Sequence, residues 1–332
     1  MRKYNVCIVG IRGVVGQCML DILQQRHFPV NELRVMSSNP DSCPEYIFHE
    51  RKVKATKLSY DCFKGMEIGL FSPGAAVSKE YAPHAVKEGC VVIDNTSQFR
   101  MESDVPLVVP EVNPEDIRWQ KGIIANPNCS TIQMVVALKP LHDYARLKRI
   151  VVSSYQAVSG AGREAVDELM NQMNGDMTVK KFQYQILNNV IPHIDVPQDN
   201  FYTKEEIKMV NETKKILNDS SIGVTATCVR VPVFGAHSES INIETERKIS
   251  RQKAMEILSA AKGVKVIDDI RSNLYPVPLE AEGKDETFVG RIREDDTVEC
   301  GLNLWVVADN LRKGAALNAI QIAEMLIKDG LI

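Results

Sequence analysis

Short apolar runs punctuate the first third of the chain. Val6-Cys7-Ile8-Val9 is continuous and reads as a buried strand; Gly10, Gly13 and Gly16 follow it into a helical pattern through Leu20, Ile22 and Leu23. A second strand, Leu33-Arg34-Val35-Met36, ends in Ser37-Ser38. Further runs stand at Ile68-Gly69-Leu70-Phe71, Val91-Val92-Ile93-Asp94 and Leu107-Val108-Val109, with a helical stretch from Ser78 to Glu88 among them. Strands alternating with helices predict a parallel, doubly wound sheet.

The rhythm changes near residue 126. Longer strands with alternation follow at Ile150 to Ala157, Gly223 to Phe234 and Ser240 to Thr245, with helices over Gly162 to Met173 and Lys204 to Leu217. This pattern predicts an α+β domain whose largely antiparallel sheet carries helices on one face. An Ala/Ile/Leu-rich helix, Gly314 to Lys328, comes last and is expected to return to the first domain. The expected division is therefore 1–127 with 314–332, and 128–313.

Composition narrows the class only slightly. The 332 residues are 44% hydrophobic and 25% charged, with 40 basic and 43 acidic side chains giving a net charge of −3. That balance lacks the basic excess a nucleic-acid partner would select. No apolar run approaches the roughly 20 residues of a membrane span. Tyr4-Asn5 leads straight into a strand, so no signal peptide is expected. The eight cysteines are scattered without Cys-x-x-Cys or paired histidine spacing, which predicts free thiols, a cytoplasmic setting and no metal.

Gly10-Ile11-Arg12-Gly13-Val14-Val15-Gly16 lies between a strand and a helix. Glycines there let the backbone approach a pyrophosphate seated on the helix N-terminus, so a dinucleotide is expected across Gly10, Arg12, Gly13, Val14, Val15 and Gly16. A glycine triplet can also serve strand-to-helix packing alone. An NAD site wants a carboxylate at the end of the second strand. Here Ser37 and Ser38 leave room for a 2′-phosphate and Arg12 offers a positive charge, which favours NADP; Arg12 can equally be a solvated surface charge.

Asn126-Pro127-Asn128-Cys129-Ser130-Thr131 puts one cysteine at the head of an apolar helix, Ile132 to Leu138, after a short apolar strand and a proline-fixed turn. The helix N-terminus stabilises a thiolate, although most free cysteines are simply small buried hydrophobes. A thiolate beside a nicotinamide adds to an aldehyde, and loss of hydride leaves an acyl-thioester. Such chemistry needs a proton carrier. His237, in a turn of small residues between two strands, is the best of six histidines. His193 reads as a structural turn residue, and His27, His49, His84 and His142 carry no signal. Arg230 lies on the face opposite valines 229, 231 and 233, as a carboxylate grip or as an exposed strand arginine. Gln156, at a strand end before Gly160-Ala161-Gly162, can orient a carbonyl or cap the sheet. Glu205 and Lys208 share a helix face, where such a pair is usually a weak surface ion pair. Asp94-Asn95-Thr96-Ser97, with Arg100 beyond, sits at the carboxyl end of a parallel strand, where ligands bind.

These residues resemble the aspartate-semialdehyde dehydrogenase family. The matching pieces are the glycine turn, Asp94 to Arg100, Val109-Pro110-Glu111-Val112-Asn113, Asn126 to Thr131, Asn189 to Asp195, Arg230-Val231-Pro232-Val233, His237-Ser238-Glu239-Ser240 and Ala308 to Ala316. They run in order along nearly the whole chain. The resemblance implies a Rossmann-type first domain and a catalytic and dimerisation domain. It implies reversible NADPH-dependent reduction of β-aspartyl phosphate to aspartate β-semialdehyde and phosphate, on the way to lysine, threonine and methionine. It further implies Cys129 as the acyl carrier, His237 as the acid–base and Gln156 as the residue orienting the acyl group. Arg230 would bind the α-carboxylate and Glu205 the amino group, with Glu206 as the competing choice; Lys208, Asn95 and Arg100 would bind phosphate. Gly160 and Asn310 join the cofactor set, and the protein is expected to be a homodimer. Many family members carry Thr in place of Arg12 and an arginine in the turn after the second strand, which here reads Ser37-Ser38-Asn39-Pro40-Asp41. The alternatives are an N-acetyl-γ-glutamyl-phosphate reductase and a catalytically silent dinucleotide sensor.

Overall fold

A computed structural model describes residues 2–332. The chain forms two compact units, one ending at Pro127 and completed by Ala315–Ile332, the other Asn128–Gly314.

The first unit is a parallel sheet covered on both faces. In chain order it comprises β1 (Tyr4–Val9), α1 (Val14–Gln25), β2 (Val30–Ser37), β3 (Tyr46–Phe48), β4 (Arg51–Val53), β5 (Thr56–Lys57), β6 (Ile68–Phe71), α2 (Ala75–Lys87), β7 (Val91–Asp94) and β8 (Ile123–Ala125). The sheet runs β5-β2-β1-β6-β7-β8, while β3 and β4 pair separately. Alternate side chains of β1 feed two cores. Val6 and Ile8 join Met19, Ile22 and Leu23 of α1, whereas Cys7 and Val9 join Phe71, Ala82 and Ala85 on the α2 side. Continuous apolar runs are what a doubly covered sheet requires. Strand order reverses between β1 and β6, so a crevice opens at their carboxyl ends.

Leu107–Val109 is not a strand. Prolines 106 and 110 flank it and lack the N–H a ladder needs; Leu107 makes only an isolated bridge to Ala125. The sixth strand is instead Ile123–Ala125, the short run before the cysteine segment.

The second unit opens with α3 (Cys129–Ala145), longer than the apolar run Ile132 to Leu138, and continues through β9 (Leu147–Gln156), α4 (Arg163–Met173), α5 (Lys204–Ile216), β10 (Gly223–Arg230) and β11 (His237–Thr245). Next come α6 (Arg251–Ala260), β12 (Val264–Val266), α7 (Pro278–Ala281), β13 (Thr287–Asp295) and β14 (Gly301–Ala308). Its sheet runs β10-β9-β11-β14-β13-β12. The β9–β10 and β12–β13 pairs are parallel, and the central pairs are antiparallel. β10 stops at Arg230, short of Phe234, because Pro232 cannot extend the ladder. β11 starts three residues earlier than its apolar pattern indicates, so His237 opens a strand instead of sitting in a turn. Residues 312–316 form a π-helical turn ahead of α8 (Leu317–Lys328), which packs through Leu317, Ile320 and Ala323 into the first unit's core.

The glycine turn is sterically closed. Gly10 has φ +90°, and a Cβ on Gly16 would lie 2.4 Å from the Gly10 carbonyl oxygen. Gly16→Ala is therefore expected to destabilise the protein by about 1–3 kcal/mol. The check is the urea midpoint at constant m-value; an unshifted midpoint would mean the turn relaxes without cost.

Candidate active site

In the first unit, a cavity of about 250 Å³ opens at the carboxyl ends of β1 and β2, lined by residues that include Gly10, Arg12, Gly13, Ser37, Ser38 and Ser72. Gly10 packs so closely that a Cβ would meet the Ser72 backbone at 2.6 Å. Gly13 caps α1 with extended backbone and no side-chain acceptor, and it lines the cavity, so no side chain caps the helix N-terminus there. Val14 and Val15 start α1, and Val15 packs on the core. Arg12 Nη1 donates to Ser42 Oγ at 3.0 Å, and the Ser37 hydroxyl accepts from Asn39 N–H. No carboxylate lines the cavity. The cradle therefore fits a dinucleotide, and its Ser37/Ser38/Arg12 end fits a phosphate better than a diol.

The same unit holds the approach to the cysteine in a polar lattice. Asp94 accepts from Ser78 Oγ, Thr96 N–H and Thr96 Oγ1. Burial still raises its pKa above the ordinary aspartate value, with those bonds and Arg100 opposing. Asn126 Nδ2 donates to Asn95 Oδ1 at 2.8 Å, and Asn318 Nδ2 donates to Asn126 Oδ1 at 2.7 Å. Arg100, 8% exposed, donates to the carbonyls of Asn126 (2.9 Å) and Asn95 (2.7 Å). The two predicted phosphate residues of this unit are thus together, fastened to the turn before the cysteine.

In the second unit, Asn128 is the N-cap of α3, and Cys129 is its first residue. Asn128 Oδ1 accepts from the N–H groups of Ser130 (3.0 Å) and Thr131 (3.3 Å). Its Nδ2 donates to Glu205 Oε1 at 2.8 Å, and its backbone N–H donates to Glu212 Oε2 at 2.7 Å. Glu205 and Glu212, two turns apart on α5, therefore hold the residue that places the thiol. Gly314 packs against the cysteine, where a Cβ would come within 2.8 Å of the Cys129 Cβ.

Glu205 and Glu206 face different partners. Glu206 completes a capping box with Thr203, accepting from Thr203 N–H at 2.7 Å, and its other oxygen accepts from Cys228 N–H at 3.0 Å. Glu205 faces Asn128, Gln156 Nε2 (3.3 Å) and Lys208 Nζ (3.0 Å). Lys208 also reaches Asp195 Oδ2 at 2.7 Å. Burial disfavours the Glu205 charge, but Lys208, the bonds from Lys208 and Asn128, and Arg230 keep its pKa below the ordinary value. Burial likewise works against the Lys208 charge, and Glu205 with Asp195 holds its pKa up. The pair is largely shielded, with the Glu205 side chain buried and that of Lys208 partly exposed.

Strand register assembles the remaining groups. Arg230 pairs with Gln156 across β10–β9, and Ser238 pairs with Tyr155, which brings His237 abreast of Gln156. Arg230 is 4% exposed, on the sheet's buried face, and its Nη1 donates to the Ala157 carbonyl at 2.7 Å. Ala157 N–H donates to His237 Nδ1 at 3.0 Å. Burial, then the Arg230 charge, pushes the His237 pKa well below its ordinary value, so the ring is neutral at pH 7. With Nδ1 accepting, the ring proton resides on Nε2. A Cβ at Gly160 would lie 3.0 Å from His237 Nε2 and 3.1 Å from Arg230 Nη1, so this loop closes directly on both groups. Burial lowers the pKa of Arg230, and attraction from Glu205, Cys129 and Cys228 opposes the shift. Asn310 and Ser159 exchange a side-chain hydrogen bond at 3.0 Å, fixing Asn310 to the Gly160 loop.

Sequence reasoning passed over Asn128 as a cap, Glu212 and Asp195. Asn128 carried a readable signal, an N-cap type just before a helix. Glu212 lies seven residues beyond Glu205, the spacing of one helix face, but nothing local tells which backbone group it meets.

Comparison with known proteins gives one family. The semialdehyde dehydrogenase NAD binding domain matches residues 5–120, and the semialdehyde dehydrogenase dimerisation domain matches 138–313. The aspartate-semialdehyde dehydrogenase of Aquifex aeolicus is 55% identical, covering 99% of both chains, and that of Bacillus subtilis is 48% identical, covering 100% of this chain and 99% of the relative. A crystal structure of aspartate semialdehyde dehydrogenase II from Vibrio cholerae complexed with ASA superposes with a TM-score of 0.95 at 47% identity, covering 99% of each chain. A Candida albicans aspartate semialdehyde dehydrogenase with NADP, 24% identical and covering 100% of each chain, shares the fold with a TM-score of 0.78. The expected fold class and family are both borne out: this chain belongs to the aspartate-semialdehyde dehydrogenase family.

Proposed function

We propose that this protein catalyses the reversible NADPH-dependent conversion of β-aspartyl phosphate to aspartate β-semialdehyde and phosphate through a thioester on Cys129. The observation that carries the reading is the arrangement of buried Gln156, Glu205, Arg230 and His237 with partly exposed Cys129 and Lys208 in the family framework. Glu205 and Arg230 offer opposite charges, suited to a substrate bearing an α-amino and an α-carboxylate group. An N-acetylated substrate has no ammonium to meet Glu205, so N-acetyl-γ-glutamyl phosphate is disfavoured. A silent sensor would have no use for the cysteine, histidine and arginine set, and is disfavoured too.

In the acyl step, the Cys129 thiolate attacks the acyl-phosphate carbonyl. The S–C bond forms, the C–O bond to phosphate breaks, and phosphate leaves toward Lys208, Asn95 and Arg100. His237 meets the carbonyl oxygen through Nε2–H, stabilising the oxyanion of the tetrahedral species. Gln156 orients the acyl group. When bound, the dinucleotide supplies the hydride, and Gly10, Arg12, Gly13, Val14, Val15, Gly16, Ser37, Ser38, Gly160 and Asn310 would hold it. We assign residues up to 127 with 314–332 to dinucleotide binding and 128–313 to catalysis and dimerisation, so the working form is a homodimer. Exposed Tyr155 and partly buried Trp305, with ring centroids 5.6 Å apart on the outer sheet face, suit such a contact. No helix among the described residues is long and apolar enough to cross a membrane. All eight cysteines are free, which supports a cytoplasmic setting.

Phosphate-dependent reduction of NADP+ with aspartate semialdehyde, repeated with NAD+ and with the N-acetyl-glutamate semialdehyde, tests the reading; turnover of the latter alone would overturn it. Cys129→Ser should abolish thioester trapping, and His237→Asn should lower kcat about 10²- to 10⁴-fold. The wild-type kcat/KM should hold as pH falls toward 6.5, the ordinary histidine value, because the folded ring titrates below it. An acid limb at or above 6.5 that disappears in His237→Asn would contradict the neutral-donor role. Arg230→Leu should cost about 2–5 kcal/mol in kcat/KM, and Arg230→Lys should not restore it, since a point charge lacks the bidentate fork. Arg12→Ala should raise KM for NADPH about tenfold or more and change that for NADH little; equal changes would remove Arg12 from the 2′-phosphate.

A further inference from the structure

One carboxyl group in the second unit has no part in the mechanism above. Glu239 lies on β11 two residues after His237, fully buried on the same face. It pairs with Ser154 on β9, and Ser154 pairs with Cys228 on β10. Thus Cys228, Ser154 and Glu239 form a row directly beneath the row of Arg230, Gln156 and His237. Neither oxygen of Glu239 has a hydrogen-bond partner, nor does Gln133 Oε1. Gln133, wholly buried on α3, is the polar side chain set against Glu239. Its Nε2 donates to the His237 backbone carbonyl at 3.4 Å.

An ionised carboxylate and an amide oxygen are both acceptors and cannot satisfy each other. A protonated carboxyl supplies the missing donor. The titratable neighbours do not favour a charge: Cys228 has a pKa raised by burial, and Glu205 and Glu206 near it are acids. Burial likewise pushes the Glu239 pKa well up, with Gln133 only partly opposing. We propose that Glu239 is a positioning residue that works as a neutral acid, its O–H donating to Gln133 Oε1 while Gln133 steadies the His237 backbone. The role matters because His237 follows Ala236, a non-glycine residue at φ +61°, a conformation that persists only where the surroundings enforce it. The imidazole is thus mounted on a strained strand start, with the Gln133–Glu239 pair supporting it from beneath.

The effect on kcat rests on the function proposed above; the protonation state does not. Infrared difference spectroscopy of wild type minus Glu239→Gln at neutral pH should show the C=O stretch of a protonated carboxyl. A carboxylate signature in its place would overturn the proposal, whatever the substrate proves to be. Glu239→Gln keeps a donor and should hold kcat within about threefold. Glu239→Leu leaves Gln133 Oε1 unpaired and should lower kcat about ten- to hundredfold with KM for aspartate semialdehyde within about twofold. A Gln variant as slow as the Leu variant, or a Leu variant at wild-type kcat, would refute it. If the Leu variant fails to fold, the infrared band and the Gln variant's kcat decide the matter. Loss of all wild-type activity toward aspartate semialdehyde would sink the function while leaving the infrared result to stand.

Discussion

The position of the thiol depends on the capture of Asn128 by two carboxylates of α5. One residue meets three demands: its side-chain oxygen caps α3, its amide binds Glu205, and its backbone N–H binds Glu212. Removing carboxylates from water is costly unless charges and donors replace the solvent. For Glu205 the replacements are Lys208, Asn128, Gln156 and, at longer range, Arg230. Three of these groups, Lys208, Gln156 and Arg230, are also proposed to meet substrate. Local electrostatics and the start of α3 are therefore one problem. A change at Lys208 would disturb the α3 cap through Glu205, without touching the cysteine itself.

That fixed point is surrounded by positions where side chains have been removed or the backbone bent to permit close approach. Gly160 lies against His237 and Arg230, Gly314 against Cys129, and Ala236 takes the left-handed region just before His237. Such features weaken a fold unless packing over-determines them. Here Ala157 provides part of that determination, because its peptide N–H and C=O engage His237 and Arg230 at once. His237 and Arg230 thus share one backbone residue, which ties their separation to the end of β9.

Much of this was legible in the sequence, for physical reasons that differ by element. The parallel sheet declared itself because its strands are apolar on both faces, and the glycine turn because only glycine tolerates its contacts. Gln156, Glu205 and Lys208 were nameable but ambiguous, since spacing on a strand or helix gives a face without saying what the face meets. Packing of α5 against the α3 terminus turned Glu205 toward Asn128 and left Glu206 in its own helix cap. Residues 287–308 went unread because Gly290, Arg291, Arg293 and Asn303 break the apolar alternation that marks a strand. Leu107–Val109 misled for the opposite reason, being apolar yet bounded by prolines. His237 was placed in a turn because a histidine followed by Ser-Glu-Ser looks solvated; the sheet instead buries His237 and Glu239 together.

The mixed character of the second sheet has a direct chemical consequence. Gln156 and Arg230 end their strands, whereas His237 begins one. Side-by-side strand ends require β9 and β10 to run parallel, and a strand start beside them requires β11 to run antiparallel to β9. Both conditions hold. A wholly antiparallel sheet would have sent Arg230 to the opposite edge, a whole strand length from Gln156 and His237. Alternation then puts all three on the buried face, the face against which α3 and α5 pack. Direction, register and facing together select these three side chains, and the next row down, Cys228, Ser154 and Glu239, inherits the same placement. A carboxyl group in a sheet interior is expensive to bury, so the presence of Glu239 beneath the histidine is better explained as support for that edge than as packing.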